Sequence, residues 1–282
     1  MLWQILGKFD PITAIIVAGV VLLLSLIISD HTRRATERAP TRSAWKTKKD
    51  VNLEPGSEDG SYARVPLQFA HLPEAEMIAK SSAFYLQMNQ RRSVRTFSSQ
   101  PVSMQVVGNL IRTAGTSPSG AHTQPWTYAV VRSMEMKSRI RDIVEKEEEI
   151  NYKRRMSTDW VSDVGKLRVN WIKPYLDEAP VLIVVLRQTH SLRQDGHRQE
   201  HYYSEISTAI SVGLLLAAIQ NAGLVTVTTT PLNAGPSIRR ALDRPGNEKV
   251  LVLLPLGFPA TGATVPDLQR KPIEQFMICY DN

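Results

Sequence analysis

Three arginines and a serine lie within five residues, in the run RRSVR at positions 91–95. Guanidinium groups bind phosphate through paired, charge-assisted hydrogen bonds, and a neighbouring hydroxyl adds a further donor. The run therefore predicts a phosphate clamp, to which Arg270 near the C-terminus can add a fourth guanidinium. A solvated basic face is the alternative, because that is the commoner role of a charge run.

A second candidate is the loop GTSPSGAHTQP at residues 115–125. Gly115 and Gly120 can adopt backbone conformations closed to other residues, Pro118 stiffens the segment, and Ser119 offers a hydroxyl. Such a loop lets backbone N–H groups approach a ligand closely. An ordinary surface loop is the alternative.

A third candidate is the threonine triplet at residues 228–230, at the carboxyl end of a predicted strand. Ligands of open α/β sheets bind at the carboxyl ends of strands, so these hydroxyls are placed for a binding site. The alternative is that threonine is simply a common strand residue.

These residues need a scaffold, and hydrophobic periodicity predicts one of α+β type. No G-x-G-x-x-G motif occurs, and the spacing of elements is too uneven for a doubly wound fold. Segment 157–177 is mixed polar and aromatic, with no element assigned. The predicted helices are 73–89, 103–114, 135–155 and 201–221, and the predicted strands are 128–131, 181–186, 225–229 and 250–256.

The helix at 201–221 has few polar positions, and a helix that is apolar on nearly all sides is buried on nearly all sides. One domain of this size would not easily surround such a helix. A second copy packed against it would bury the remaining side, so the pattern predicts a homodimer.

The predicted organisation is a short N-terminal segment at 1–11, a transmembrane anchor at 12–29, a polar linker at 30–68 and a catalytic domain at 69–282. A cleaved signal peptide is the alternative for the apolar run, but no small-residue cleavage site follows it. Seven Lys and Arg follow the run within residues 30–50 and one precedes it, which predicts a single-pass membrane protein with its domain in the cytosol. The single cysteine, Cys279, agrees with that location.

The net charge of +7 does not indicate nucleic acid binding. Residues 1–50 hold 8 Lys and Arg against 4 Asp and Glu, which leaves +3 for the remainder of the chain. More than half of the excess therefore lies beside the apolar run, where it fits contact with anionic lipid head groups.

Seven motifs together carry a family resemblance that covers about residues 84–272. The chain resembles the iodotyrosine deiodinase family, a membrane-anchored branch of the flavin-dependent nitroreductase superfamily. The motifs are RRSVR, TAGTSPSGAHTQPW, EEEINYKRRM, NWIKPYLDEAP, HYYSEIS, QNAGLVTVTTTPLN and TVPDLQRKP.

The resemblance implies a nitroreductase-like mixed sheet flanked by helices, in an intertwined homodimer with FMN at the subunit interface. The implied activity is reductive dehalogenation of mono- and diiodotyrosine, which releases iodide and tyrosine. NADPH is the implied ultimate electron donor, through a separate reductase partner.

The same resemblance assigns roles to residues of this chain. The FMN-binding residues would be Arg91, Arg92, Ser93, Arg95, Pro118, Ser119, Thr228, Thr229, Thr230 and Arg270. The halotyrosine-binding residues would be Ala121, whose backbone N–H would meet the phenolate, and Glu148, Tyr152 and Lys173 at the amino-acid end. Thr230 would be the catalytic residue, with its hydroxyl near flavin N5, where it would favour single-electron steps. No metal site is predicted.

Elementary chemistry agrees with the substrate assignment, because a zwitterionic amino acid needs one acid and one base in its site. Glu148 and Lys173 supply that pair. Tyr152 lies four residues after Glu148 on a predicted helix and so shares its face. The alternatives are a solvated acidic helix face and an ordinary surface lysine.

Two other functions remain open. A nitro- or quinone reductase of the same fold would keep the flavin clamp without needing the amino-acid grip, and a catalytically silent protein would bind ligand without releasing iodide. Segment 157–177 is also a candidate for a lid that orders when substrate binds.

Overall fold

The computed structural model describes residues 63–192 and 196–281. The chain divides into two units, residues 1–70 and 71–282. The described part of the first unit, residues 63–70, is exposed and has no helix or strand. The predicted anchor at 12–29, the segment before it and most of the predicted linker lie outside the described residues. Within the described ranges, no helix is both long and apolar enough to cross a membrane.

The second unit is an α+β fold, as predicted. Its described strands are β1 (Trp126–Val131), β2 (Val181–Gln188), β3 (His190–Leu192), β4 (Arg198–Glu200), β5 (Val225–Thr226) and β6 (Glu248–Gly257). The main sheet has the order β1-β2-β6-β5, and these neighbours pair antiparallel. A parallel component comes from the single bridge between Ser93 and Thr226. Strands β3 and β4 form a separate antiparallel pair.

The described α-helices are α1 (Glu74–Asn89), α2 (Met104–Gly115), α3 (Met134–Ile150), α4 (Thr158–Lys166), α5 (Tyr175–Glu178), α6 (Ser204–Asn221) and α7 (Gly235–Ala241). Side chains cap the starts of three of them: Ser103, Ser133 and Ser157 each accept a hydrogen bond from a backbone N–H of the first turn.

Strand β2 is the centre of the core, because residues 181–186 are all buried and all apolar. Successive side chains of a strand point to opposite faces, so β2 serves two hydrophobic clusters. Leu182, Val184 and Leu186 belong to one, with residues of α3, α5 and α7. Val181, Ile183 and Val185 belong to the other, with residues of α2 and α6. Helices therefore cover both faces of the sheet.

The structure differs from the predicted elements in three segments. The helix predicted to end at 155 ends at Ile150 and continues as a π-helical turn, Asn151–Arg155. Segment 157–177 contains α4 and the start of α5. The strand predicted over 225–229 stops at Thr226, although Thr229 still bridges Leu253 of β6.

Helix α6 is buried on one side within this chain, and its other side is the face that the predicted second copy would cover. Its buried face carries small polar residues, with the Ser211 hydroxyl donating to the Ala114 carbonyl at 2.6 Å. Its opposite face exposes Ile206 at 60% and Ile210 at 46%. The helix begins three residues later than predicted, because Tyr203 adopts a left-handed conformation with φ 55°.

Candidate functional site

The arginine run leaves the end of α1 and joins the edge of the sheet. Ser93 bridges Thr226, and the Val94 N–H donates to the Thr226 carbonyl at 3.2 Å. The Val94 side chain is buried, which anchors the run. Arg91, Arg92, Ser93 and Arg95 all line one cavity of about 1350 Å³.

The predicted fourth guanidinium, Arg270, lines the same cavity. Its Nε donates to Asn89 Oδ1 at 2.9 Å and its Nη2 to the Arg91 carbonyl at 2.9 Å. A guanidinium nitrogen of Arg92 donates to the Pro266 carbonyl, which holds the same C-terminal segment. Burial, and then the positive charge of Arg270, lower the pKa of Arg91. This concentration of cations favours an anionic ligand.

Arg95 joins that cavity to a smaller one of about 260 Å³, which Lys173 and Tyr175 also line. Its buried Nε has no hydrogen-bond partner among the residues that the structure describes, and neither do the buried hydroxyls of Ser117 and Thr226. Buried donors are normally paired in folded proteins, so a partner-less buried guanidinium nitrogen at the junction of two cavities points to a ligand.

The acidic run at the end of α3 does not form one solvated face. Glu149 and Glu147 make ion pairs with Lys153 and Arg155 at the surface. Glu148 is 7% exposed, and its Oε2 lies 3.8 Å from Lys173 Nζ. The structure thus brings together the predicted acid and base, and it buries both.

Lys173 is positioned by its own neighbours. Its backbone N–H donates to Glu145 Oε1 at 2.6 Å, and its Nζ also donates to the Asn170 carbonyl. Burial lowers the pKa of Lys173, while the charge of Glu148 raises it and that of Arg95 lowers it. A nearby anion therefore favours the charged form of this buried lysine.

Tyr152 completes the predicted grip, with its ring centroid 5.4 Å from Lys173 Nζ. Burial, and then the charge of Glu148, raise the pKa of Tyr152 to about 12, so its phenol is neutral and able to donate at neutral pH. Trp160 of α4 and Trp171 pack edge-on against the ring, with centroids 5.1 and 6.0 Å away. Segment 157–177 therefore builds a wall of the site.

The three threonines at 228–230 differ in burial. The Thr229 hydroxyl is buried and lies 3.1 Å from Tyr175 Oη. Thr228 and Thr230 are exposed. Thr228 and Thr230 are therefore the two members of the triplet that a ligand can reach from solvent.

The loop at 115–125 is held in a strained conformation. Ala121, His122 and Gln124 have φ values of 49°, 54° and 45°, in the left-handed region that non-glycine residues rarely adopt. The Ser119 hydroxyl closes the loop by accepting from the Gln124 N–H at 2.9 Å. Strain of this kind is concentrated at ligand sites, which fits the role predicted for the Ala121 N–H.

The same loop packs on α6 and its N-terminal flank. The Gly120 N–H lies 3.4 Å from the Ser207 hydroxyl, and a Cβ at Gly120 would lie 3.1 Å from the Tyr202 carbonyl. Neither of the two cavities above includes a residue of this loop in its lining. In the described part of the chain, Pro118, Ser119 and Ala121 thus form a group apart from the arginines and the Glu148 pair.

Two residues of the site escaped the sequence analysis. Glu145 holds the Lys173 backbone, and Asn151 donates to Glu148 Oε1 at 3.2 Å. Glu145 could have been found from its spacing, because it lies one helical turn before Glu148. Its spacing from Glu148 is that of helix neighbours, but its other two partners, the Leu232 carbonyl and the Asn233 amide, come from a loop some eighty positions away that no local pattern indicates.

Comparison with known proteins gives consistent results. A model of the Nitroreductase family matches residues 88–258. Iodotyrosine deiodinase 1 of Homo sapiens is 56% identical, with 76% of this chain and 74% of that protein covered. Iodotyrosine deiodinase of Daphnia pulex is 48% identical, with 99% and 96% covered.

Solved structures give the same fold. An oxidised iodotyrosine deiodinase bound to FMN and 3-iodo-L-tyrosine has a TM-score of 0.61 at 26% identity, over 71% of this chain and 98% of that one. A BluB-like flavoprotein from Clostridium difficile has a TM-score of 0.56 at 21% identity, over 70% and 98%.

Proposed function

The chain belongs to the nitroreductase family and, within it, to the iodotyrosine deiodinases, and from this premise we propose that it uses FMN to remove iodide reductively from mono- and diiodotyrosine. The observation that carries the proposal is the buried pair of Glu148 and Lys173 beside Tyr152. A nitro- or quinone reductase has no use for an acid and a base placed to bind an amino acid.

The residues present fit FMN. Its phosphate is a dianion that suits the cavity lined by Arg91, Arg92, Ser93 and Arg270, and the free Nε of Arg95 is a donor for a polar atom of the cofactor. Ser119, Pro118 and the exposed Thr228 and Thr230 are proposed to contact the flavin ring. Bound FMN supplies the electrons of the reaction.

The amino-acid end of the substrate would replace the direct interaction between Glu148 and Lys173. The ammonium group would bind the Glu148 carboxylate, and the substrate carboxylate would bind Lys173 with help from the neutral Tyr152 phenol. A substrate carboxylate at Lys173 would also place an anion beside this buried lysine, which favours its charged form. The Ala121 N–H would donate to the phenolate oxygen at the other end.

The net reaction exchanges a carbon–iodine bond for a carbon–hydrogen bond. Two electrons and one proton enter, and iodide leaves with the bonding pair. The Thr230 hydroxyl would hydrogen-bond to flavin N5, and the wall formed by Trp160 and Trp171 would exclude water from the site.

The test is iodide release by the full-length chain in detergent, supplied with FMN and dithionite. We expect iodide to be released from diiodotyrosine in proportion to the substrate consumed. Turnover of 2-iodophenol, which lacks the amino-acid end, should be much weaker. Equal rates for the two compounds would favour a general reductase of the same fold. Binding of diiodotyrosine without iodide release would identify a silent binding protein.

We also propose that the protein is a homodimer with the cofactor between subunits. Helix α1 has no buried residue, yet it exposes Met77, Ile78, Phe84, Tyr85 and Leu86. The C-terminal segment exposes Ile273, Phe276 and Ile278 in the same way. Monomers rarely expose so much apolar surface, and a second copy would cover it. It could also unite the loop at 115–125 with the arginine cavity.

The remaining proposals concern location and electron supply. The apolar run at 12–29 and the basic residues after it support a single-pass anchor with a cytosolic catalytic domain. NADPH is proposed as the ultimate electron donor, through a reductase partner. Release of iodide by membranes given NADPH, and its loss when the reductase-containing fraction is removed, would test both points.

A further inference from the structure

The side-chain amide of Asn151 makes four hydrogen bonds in a position closed to solvent. Asn151 is 1% exposed. Its Nδ2 donates to Glu148 Oε1 and to the Leu232 carbonyl, both at 3.2 Å. Its Oδ1 accepts from Asn233 Nδ2 at 3.1 Å and from Arg155 Nη1 at 3.0 Å. Every hydrogen-bonding valence of the amide is therefore used.

These partners leave the amide only one orientation. The carboxylate of Glu148 and the Leu232 carbonyl can only accept, while Arg155 can only donate. Flipping the amide would place oxygen against oxygen on one side and nitrogen against a guanidinium on the other. Asn151 is therefore a fixed donor to Glu148.

That donor separates the two oxygens of Glu148. Oε1 is bound by Asn151, whereas Oε2 faces Lys173 Nζ at 3.8 Å. The terminal torsion of a glutamate side chain is broad, so an unrestrained carboxylate would sample many orientations. The hydrogen bond from Asn151 selects the one that leaves Oε2 available for a ligand.

The second donor hydrogen of Asn151 reaches the loop that follows Thr230. The Leu232 N–H donates to the Thr230 carbonyl at 3.0 Å, so Leu232 belongs to the same tight turn as Thr230. The backbone of Asn151 is also special, because its carbonyl accepts the i+5 bond of the π-helical turn, from the Met156 N–H at 2.9 Å. Turns of this kind occur frequently at functional sites.

We propose that Asn151 is a positioning residue, which orients Glu148 to bind the ammonium group of the substrate and ties that carboxylate to the loop carrying Thr230. The proposal rests on the proposed function, because it assumes an amino-acid ligand at Glu148. Asn151 itself acts through Glu148 and does not touch the ligand.

The test is the variant Asn151→Asp, which keeps the size of the side chain and removes both donor hydrogens. An aspartate would still accept from Arg155 and Asn233, but its second oxygen would repel Glu148. We expect the full-length holoenzyme to bind iodotyrosine about 10- to 100-fold more weakly, the usual effect of losing a hydrogen bond to a charged group. Binding is measured by the change in FMN fluorescence on titration.

The readout that separates positioning from general stability is 2-iodophenol, which has no ammonium group. Its affinity and the retention of FMN should stay at the wild-type level in Asn151→Asp. The proposal would be overturned if both ligands bound equally more weakly, if FMN were lost, or if the affinity for iodotyrosine did not change. Asn109→Asp is the matched control, because Asn109 is exposed and its Oδ1 only accepts from Arg112.

A second variant covers the case in which Asn151→Asp does not fold. Asn233→Gly removes one of the two donors that fix the amide, and glycine tolerates the φ of 65° at that position. It should weaken the binding of iodotyrosine by a smaller factor and leave the binding of 2-iodophenol unchanged. Equal weakening of the binding of both compounds would count against a positioning role for Asn151. Failure of the wild-type protein to bind iodotyrosine at all would instead refute the proposed function.

Discussion

At the scale of single residues, burial distinguishes the functional glutamate from its neighbours. Glu147, Glu148 and Glu149 are adjacent in the sequence, and two of them pair with surface cations. Only Glu148 of the three is buried, with its charge opposed by Lys173. Ionic pairs withdrawn from water are costly, so the protein has a use for this one beyond stability.

Glu148→Gln should therefore weaken iodotyrosine binding by roughly 30-fold or more, in line with the removal of one partner of a buried charge pair. The affinity for 2-iodophenol should not change, because that compound has no ammonium group. The variant also removes the carboxylate whose charge raises the pKa of Lys173, so the lysine should lose its proton at a lower pH. Titration of FMN fluorescence at several pH values measures both effects.

The matched control is Glu149→Gln, one position further along the helix. Glu149 is about half exposed, and its carboxylate pairs with Lys153. We expect wild-type affinity for both ligands. A loss as large as that of Glu148→Gln would mean that net charge on the helix, and not contact with the ligand, controls binding.

At the scale of elements, one buried carboxylate joins the strands at an end of the sheet. Glu248 begins β6, accepts from Thr127 of β1 at 2.7 Å, and pairs with Arg244 at 2.8 Å. Burial alone would raise the pKa of Glu248. The hydrogen bonds from Arg244 and Thr127, with the charge of Arg244, outweigh it, so the pKa lies below its ordinary value of 4.5.

A carboxyl group whose pKa is lowered in the folded state stabilises the protein fully above its unfolded pKa and progressively less as pH falls through the folded value. Glu248→Gln should therefore lower the free energy of unfolding by about 1.5–3 kcal/mol at neutral pH. The difference from wild type should shrink below about pH 4.5, where the unfolded carboxyl becomes protonated. Urea unfolding at neutral and acidic pH measures it. Glu178→Gln, at an exposed position, should show no such pH-dependent difference.

The elements that the sequence predicted well are those with strong local signals. Helices α1 and α2 lie within one residue of their predicted ranges, and α2 has its serine cap. Helix α4 was missed because residues 158–166 are mostly polar and none of them is buried. The fixed orientation of the Asn151 amide depends in part on Leu232 and Asn233, which are distant in sequence, and no local pattern contains those contacts.

The residues of the site follow the same pattern: those with a signal in the sequence were predicted, and those that depend on the folded chain were not. The arginine run and the pairing of Glu148 with Lys173 were predicted, because charge type and family motifs determine them. The burial of Thr229 against Tyr175 was not, since alternation along a strand does not show where the strand stops. The backbone strain at Ala121 likewise exists only in the folded loop.

At the scale of the whole molecule, helix α1 and the outer face of α6 both expose large apolar side chains that a second copy would cover. Short helices are marginal in water on propensity alone and depend on tertiary packing, yet α1 buries no residue in this chain. Ile206 and Ile210 lie one turn apart on the exposed face of α6, beside the exposed Tyr202 and Tyr203. A second copy that packs here would bury both surfaces.

The full-length chain should therefore be dimeric by native mass spectrometry from detergent, and Ile206→Glu should convert it to a monomer. A glutamate buried at the interface would have to lose either its charge or its hydration. Both changes cost free energy, which only a partner cation would offset. Because the arginine cavity and the loop at 115–125 are separate groups within one chain, the monomer should also lose FMN on gel filtration. Glu205→Gln, at the adjacent exposed position, should remain dimeric and yellow. A monomeric wild-type protein that retains FMN would refute the dimer, and with it the idea that each flavin is held by two subunits.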